Sequence, residues 1–277
     1  MSLFAPADHL PSSMNRPSDP RTLRDIRSAK GQRPLVALTA YDAITATLAD
    51  RAEVDILLVG DSLGTTLLGF ETTVPVTLEM ILHHTAAVTR NRPRSLVVSD
   101  IPFGYALKRG DQCLEAAIAC LQKGGAQAVK IEGGEKVAPL LQQLTDAGIP
   151  VLGHIGLQPQ QVHQLGGYRK FGRSESERKQ LIQDAQAVEA AGAFALVAEM
   201  VESETMRQIT EKVTIPTIGI GSGPHCDGQI LVSTDLLGLT LGKTPAFAKA
   251  YDQLADRITQ AFQAYADDVR NHRFPTP

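Results

Sequence analysis

From about Leu35 onward the chain alternates short apolar runs, rich in β-branched residues, with longer segments whose apolar positions recur every three or four residues. The first pattern predicts strands and the second helices. The apolar runs are LVALT, DILLVG, LVVSD, AVKIE, PVLGHI, FALVAEM and PTIGIG, and an eighth strand is expected within QILVSTDLLGL. Nearly every position in these runs is apolar, as in strands covered on both faces, which is the habit of parallel sheets. Between them, Ser174 and Glu177 have the spacing of a capping box ahead of an apolar face of Leu181, Ala185 and Val188, and Gly192 supplies the stop. Leu114, Ile118 and Leu121 form a similar stripe before Gly124, and the turns GGA, AGI and AGA each lead directly into a strand. About eight such units predict an α/β protein of one domain, a closed (β/α)8 TIM barrel. An open doubly wound sheet is the competing arrangement, but no Gly-x-Gly-x-x-Gly follows the first strand.

The ends read differently. Residues 1–20 hold Pro6, Pro11, Pro17 and Pro20 among small polar residues without a period and predict a flexible arm. The barrel is expected over 21–270, with a C-terminal tail at 271–277, and the segment Leu23 to Ala29 as an extra helix plugging the barrel bottom. A chain of 277 residues with 43% apolar content can bury the core a barrel needs. Its formal charge of -3, with no run of like charges, speaks against nucleic-acid or membrane partners and for a small-molecule substrate. No stretch approaches the roughly 20 apolar residues of a membrane span, and the first residues lack a basic start followed by an apolar core, so a cytoplasmic protein is expected. Cys113, Cys120 and Cys226 have neither disulfide nor zinc spacing; the first two, seven apart, are expected to fill the buried face of one helix.

In a barrel the chemistry sits at the carboxyl ends of the strands. Those exits are polar here: Tyr41 and Asp42, then Asp61 and Ser62, Asp100, Lys130 and Glu132, His154, Glu199, and the turn GIGSG. Asp61, Asp100 and Glu132 offer hard oxygen ligands from three consecutive exits, which suits Mg²⁺ or a similar divalent ion. Each acid alone could instead cap the following helix. Lys130 shares a strand face with Glu132 and is placed to neutralise a substrate carboxylate or an enolate oxygen; an imine-forming lysine is the alternative. Glu199 leaves an apolar run and is the candidate proton acceptor, while His154 reads as a substrate-site hydrogen-bonding residue before a metal ligand. GIGSG with the following CDGQ could present backbone N–H groups to an anion, although a tight turn explains those glycines equally well.

The runs LTAYD, VGDSLG, TVPVT, HHTAAV, SDIPFG, VKIEGGE, GHIGLQPQ, GGYRKFGR, LVAEM, IGIGSG, CDGQILV and P-x-F-A-K occur in an order that resembles the ketopantoate hydroxymethyltransferase family over about Leu35 to Lys249. The resemblance implies transfer of a hydroxymethyl group from 5,10-methylenetetrahydrofolate to 3-methyl-2-oxobutanoate, a divalent metal such as Mg²⁺, and a homodecamer. It places Asp61 and Asp100 at metal-ligand positions, with Glu132 as a third acid bound directly or through water. Ser62 and Lys130 fall at positions that hold the keto acid, and Glu199 falls on the catalytic base. The segment QLGGYRKFGR is expected to act as a lid, and no residue is assigned to the folate. Two other readings compete: a metal-dependent lyase or mutase of the phosphoenolpyruvate-utilising barrels, and a catalytically silent barrel that only binds or assembles.

Overall fold

The computed structural model describes residues 19–106, 110–167 and 169–276. Most of the expected arm, together with Tyr168 in the expected lid and Pro277, lies outside them. Eight parallel strands close into a barrel in sequence order: β1 (Leu35–Thr39), β2 (Ile56–Val59), β3 (Leu96–Asp100), β4 (Ala128–Glu132), β5 (Val151–Gly156), β6 (Ala195–Glu199), β7 (Thr217–Ile220) and β8 (Gly228–Leu231). Each coincides with an expected apolar run to within a residue or two, and β8 opens at the start of the expected eighth segment.

Two apolar clusters explain why the strands are apolar on both faces. One lies outside the barrel, where Val97, Val129, Ile131, Val151 and Leu196 meet the surrounding helices. The other fills the interior with residues of the opposite parity, among them Leu35, Ile56, Leu58, Leu96, Val98, Leu152, Val197 and Ile218. Because side chains alternate along a strand, the interior parity continues upward from Val98 to Asp100, from Ala128 to Lys130 and Glu132, from Leu152 to His154, and from Val197 to Glu199. The barrel is thus apolar in its lower layers and charged in its top one. At the opposite end the helix Leu23–Ser28 inserts the fully buried Ile26 into the interior cluster, the plug the sequence predicts. Thr22 and Asp25 cap it reciprocally.

Three features differ from expectation. In the helix Gly110–Gln122 the buried face is Cys113, Ala116, Ala117 and Cys120, while Ile118 is exposed and Leu114 and Leu121 pack only at the margin. Small side chains let this helix approach the sheet; the cysteines are the filler expected of them, and the larger aliphatics flank the contact. In the helix Glu175–Ala190 Ser174 caps as expected, but Glu177 accepts from the N–H groups of Gly172 and Arg173 instead of closing the box. Residues 221–227 join the top of β7 to the bottom of β8 with no helix at all.

The long helix Leu254–Arg270 has no buried residue and exposes Phe262 at 70% and Tyr265 at 58%. Among the described residues no helix is long and apolar enough to cross a membrane.

Candidate active site

The strand exits bring the predicted side chains together. Lys130 stands at the centre, its Nζ 3.0 Å from Asp100 Oδ1, 3.5 Å from Glu132 Oε1 and 3.3 Å from His154 Nδ1. Cross-strand register enforces this cluster, since Asp100 pairs with Lys130 and Glu132 with His154 on neighbouring strands. His154 continues the line outward, with Nε2 3.4 Å from Glu199 Oε2. Asp61 follows β2 by two residues, and its main-chain N–H donates to Asp100 Oδ2 at 3.0 Å. Next to it, the Ser62 hydroxyl lies 2.8 Å from the Tyr41 hydroxyl, which ties the first exit to the second. Asp61, Asp100, Lys130, Glu132 and His154 are all buried, whereas Glu199 is partly open to the mouth.

Burial of so many charges decides their protonation. Burial pushes the Asp61 carboxyl well above the usual range, and the charges of Asp100 and Glu132 push it further. Burial would lower the Lys130 ammonium, yet Asp100, Glu132 and Asp61 overcome it and hold Lys130 protonated far above ordinary pH. A lysine so held is a poor imine nucleophile, which removes the support for that alternative. Burial would likewise raise Glu132, but Lys130 and His154 keep it below the usual carboxylate range. For His154, burial and the Lys130 charge oppose protonation; its contacts with Glu132 and Glu199 nevertheless lift it to about 9.

Three of these acids could contribute oxygens to a divalent cation, and their hydrogen bonds are arranged in one pattern. Each inner carboxylate has one oxygen fixed by a neutral N–H donor: Asp61 Oδ2 by the Gln160 side chain, Asp100 Oδ2 by the Asp61 main chain, and Glu132 Oε2 by the Gln160 main chain. The opposite oxygens, Asp100 Oδ1 and Glu132 Oε1, are buried without a hydrogen bond, although both lie near the Lys130 charge. Among the described residues no group of three or more acidic, imidazole or thiol side chains is arranged to hold a metal ion by itself. Mg²⁺ does not require one, because it is commonly held by one or two carboxylates, waters and substrate oxygens.

Several sequence candidates turn out to be structural. Asp42 caps the helix Ala43–Arg51, accepting from the N–H groups of Ile44 and Thr45. Ser222 of the GIGSG turn accepts from Val201 N–H and donates to the Ala198 carbonyl, and Gly221 and Gly223 take positive φ, so the tight-turn reading holds there. Asp227 of CDGQ lies just before β8 at the opposite end of the barrel, where it binds the Thr217 N–H and the Lys30 ammonium. It therefore has no place in an anion site at the mouth.

Two features escaped the sequence. Gln160 is buried between two acids, and the only signal was its place in GLQPQ just past β5. Met200, immediately after Glu199, adopts φ 53, a strained conformation for a side chain of this size and of a kind that gathers at functional sites. Around it, Phe171 at the end of the expected lid donates its N–H to the Met200 carbonyl and accepts from Glu202 N–H.

A parallel barrel of this shape also occurs in solved structures of distant sequence. The solved structure of phosphonopyruvate hydrolase in complex with oxalate and Mg²⁺ superposes with a TM-score of 0.60 at 13% identity, covering 90% of this chain and 87% of that one. At that identity the likeness is one of fold. The sequence profile of the ketopantoate hydroxymethyltransferase family matches residues 20–277, and the chain belongs to that family. It is 50% identical over 256 residues to the 3-methyl-2-oxobutanoate hydroxymethyltransferase of Pyrobaculum calidifontis, covering 92% of this chain and 96% of that protein. The enzyme of the same name from a Picosynechococcus species is 51% identical over 257 residues, covering 92% and 97%.

Proposed function

We propose that the chain transfers a hydroxymethyl group from 5,10-methylenetetrahydrofolate to 3-methyl-2-oxobutanoate, giving 2-dehydropantoate in pantothenate biosynthesis. Half of its residues match enzymes named for this reaction along nearly their whole length, and this observation carries the reading.

Carbon 3 of the keto acid is a weak acid, so the site must stabilise the charge that forms when its proton leaves. Glu199 accepts that proton at the open side of the mouth, its carboxylate steadied by the His154 imidazole. Ser62, set by Tyr41, and the Lys130 ammonium bind the keto acid's carboxylate and the developing enolate oxygen. Asp61 and Asp100 would hold a divalent ion such as Mg²⁺, with Glu132 reaching it directly or through water, and when bound it would polarise the substrate's keto oxygen. Water cleaves both C–N bonds of the folate's methylene bridge, releasing tetrahydrofolate and the one-carbon unit as formaldehyde; the carbanion adds to its carbonyl carbon in an aldol step, and the resulting alkoxide takes a proton to become the new hydroxyl. Residues 169–173, joined through Phe171 to the chain just after Glu199, would serve to exclude bulk water during attack.

The chain works in the cytoplasm as a homo-oligomer, a decamer by family resemblance. The unburied aromatic side of the helix Leu254–Arg270 supports assembly, because an exposed apolar surface of this kind favours a partner.

Solvent deuterium exchange at C3 of the keto acid, with Mg²⁺ and with EDTA, before and after adding the folate, tests the reaction. Metal-dependent exchange followed by 2-dehydropantoate formation is expected. Exchange without product would keep the enolising barrel and discard the donor; no exchange under any condition would discard both.

A further inference from the structure

We propose that Gln160 is a positioning residue of this site: it holds Asp61 and Glu132 by neutral hydrogen bonds and thereby sets the carboxylate spacing that receives a divalent cation. The inference rests on the metal-dependent reading above and deepens it.

A buried primary amide is costly unless its polar atoms are paired. Gln160 is 6% exposed, and its Nε2 has two N–H donors. Both have acceptors within reach, Asp61 Oδ2 at 3.0 Å and the Ile101 carbonyl at 2.9 Å. Its main-chain N–H donates to Glu132 Oε2 at 3.2 Å. One residue on the loop after β5 therefore grips the exits of β2, β3 and β4. The 3-10 turn Pro159–Gln161 places it there, with proline restricting the backbone at the first position of the turn.

The chemistry of the donor matters as much as its reach. A lysine or arginine at this position would bind Asp61 more strongly but would bring a positive charge among the acids and compete with a cation. The side-chain amide fixes one oxygen of Asp61, and the main-chain N–H one oxygen of Glu132, without adding a positive charge. That is the work of an outer partner orienting a metal ligand, and losing such a partner typically weakens metal binding by about ten- to a hundredfold.

The test is Mn²⁺ binding followed by electron paramagnetic resonance, with and without 3-methyl-2-oxobutanoate, in the wild type, Gln160→Met and Gln160→Asn. Methionine keeps the length and removes the donors; asparagine keeps the amide but is too short to span both acceptors. The expected result is a roughly tenfold or greater loss of Mn²⁺ affinity in Gln160→Met, with an altered bound spectrum, and a partial loss in Gln160→Asn. The keto acid's KM should rise in step with the lost affinity. Equal affinity and an equal spectrum in a folded Gln160→Met overturn the role of Gln160 while leaving the cation site intact. If that variant does not fold, Gln160→Asn decides, and wild-type affinity there overturns the inference. A wild type that binds no Mn²⁺ at the site overturns the metal reading and this inference with it.

Discussion

Replacing Gly156 with alanine should damage the site more than its small size suggests. Gly156 ends β5 with φ +89, and a Cβ there would stand 2.2 Å from the Glu199 carbonyl oxygen and 2.9 Å from a Val201 methyl. The left-handed conformation alone costs an alanine about 1–2 kcal/mol. Relieving the clash must move the Glu199 carbonyl, which accepts the Leu157 N–H at 2.8 Å, and losing that bond adds about 0.5–1.5 kcal/mol. The sum is roughly 1.5–3.5 kcal/mol before any repacking around Val201. Gly148 supplies the control, because its φ is +81 but nothing lies within 4 Å of the added Cβ. Gly148→Ala should therefore show only the conformational part. Urea unfolding of both variants at one protein concentration measures the difference, and C3 exchange reads the displacement of Glu199 independently. Equal destabilisation by the two substitutions would refute the argument, since it would mean that the backbone after β6 yields without cost.

Glu199→Gln should reduce C3 exchange by at least about a hundredfold while keto-acid binding, measured by calorimetry, stays close to wild type; normal exchange would remove Glu199 as the base. At the barrel bottom, Asp55 is buried against Arg21 Nε at 2.8 Å and both terminal nitrogens of Arg33 at 2.8 and 2.9 Å, and it also accepts the Val36 N–H. Asp55→Ala should cost roughly 2–4 kcal/mol in urea unfolding with little effect on exchange kinetics. Burial pushes the thiols of Cys113 and Cys226 up to about 12 and that of Cys120 to about 11, so a thiol reagent at pH 8 should label the native protein slowly and the urea-unfolded protein quickly. Since these folded values exceed the ordinary thiol value of 9, the contribution of the thiols to stability is complete below pH 9 and falls as pH rises toward 11 to 12.

The strands were legible because burial on both faces leaves a continuous apolar run, and the site was legible because a charged residue closing such a run is costly to bury unless it is paired or serves chemistry. Asp100, Lys130, Glu132 and Glu199 all fall within strands on the interior parity, so the sequence pattern alone puts them at one mouth. The less legible parts depend on close packing and on chain direction. A hydrophobic stripe gives weight to Leu114, Ile118 and Leu121, but the helix needs small residues where it touches the sheet, so Cys113, Ala116, Ala117 and Cys120 are buried instead. CDGQ reads as part of a loop after β7, yet without a helix in residues 221–227 the chain has already descended to the far end of the barrel when it reaches Asp227. Gln160 was hidden for a further reason: a glutamine in a proline-containing loop has the composition of a solvated turn, and only the tertiary structure shows its acceptors.

The mouth combines fixed positions with closely packed ionisable groups. Asp61, Asp100 and Glu132 are buried together, and Lys130 is the cation that lies among them, with His154 shared between Glu132 and Glu199. Ordinary stabilisation would have matched the acids with further basic side chains or replaced the cluster with apolar residues, since buried ion pairs rarely repay their desolvation. Here neutral N–H groups hold one oxygen of each acid, and two of the opposite oxygens are left without hydrogen bonds. Such an arrangement preserves geometry at the cost of burying many ionisable groups together, a poor design for stability alone. It suits a site organised around its ligands, and the apolar barrel interior below, packed from Val98, Leu152 and Val197 down to Ile26, helps offset the cost of the layer above it.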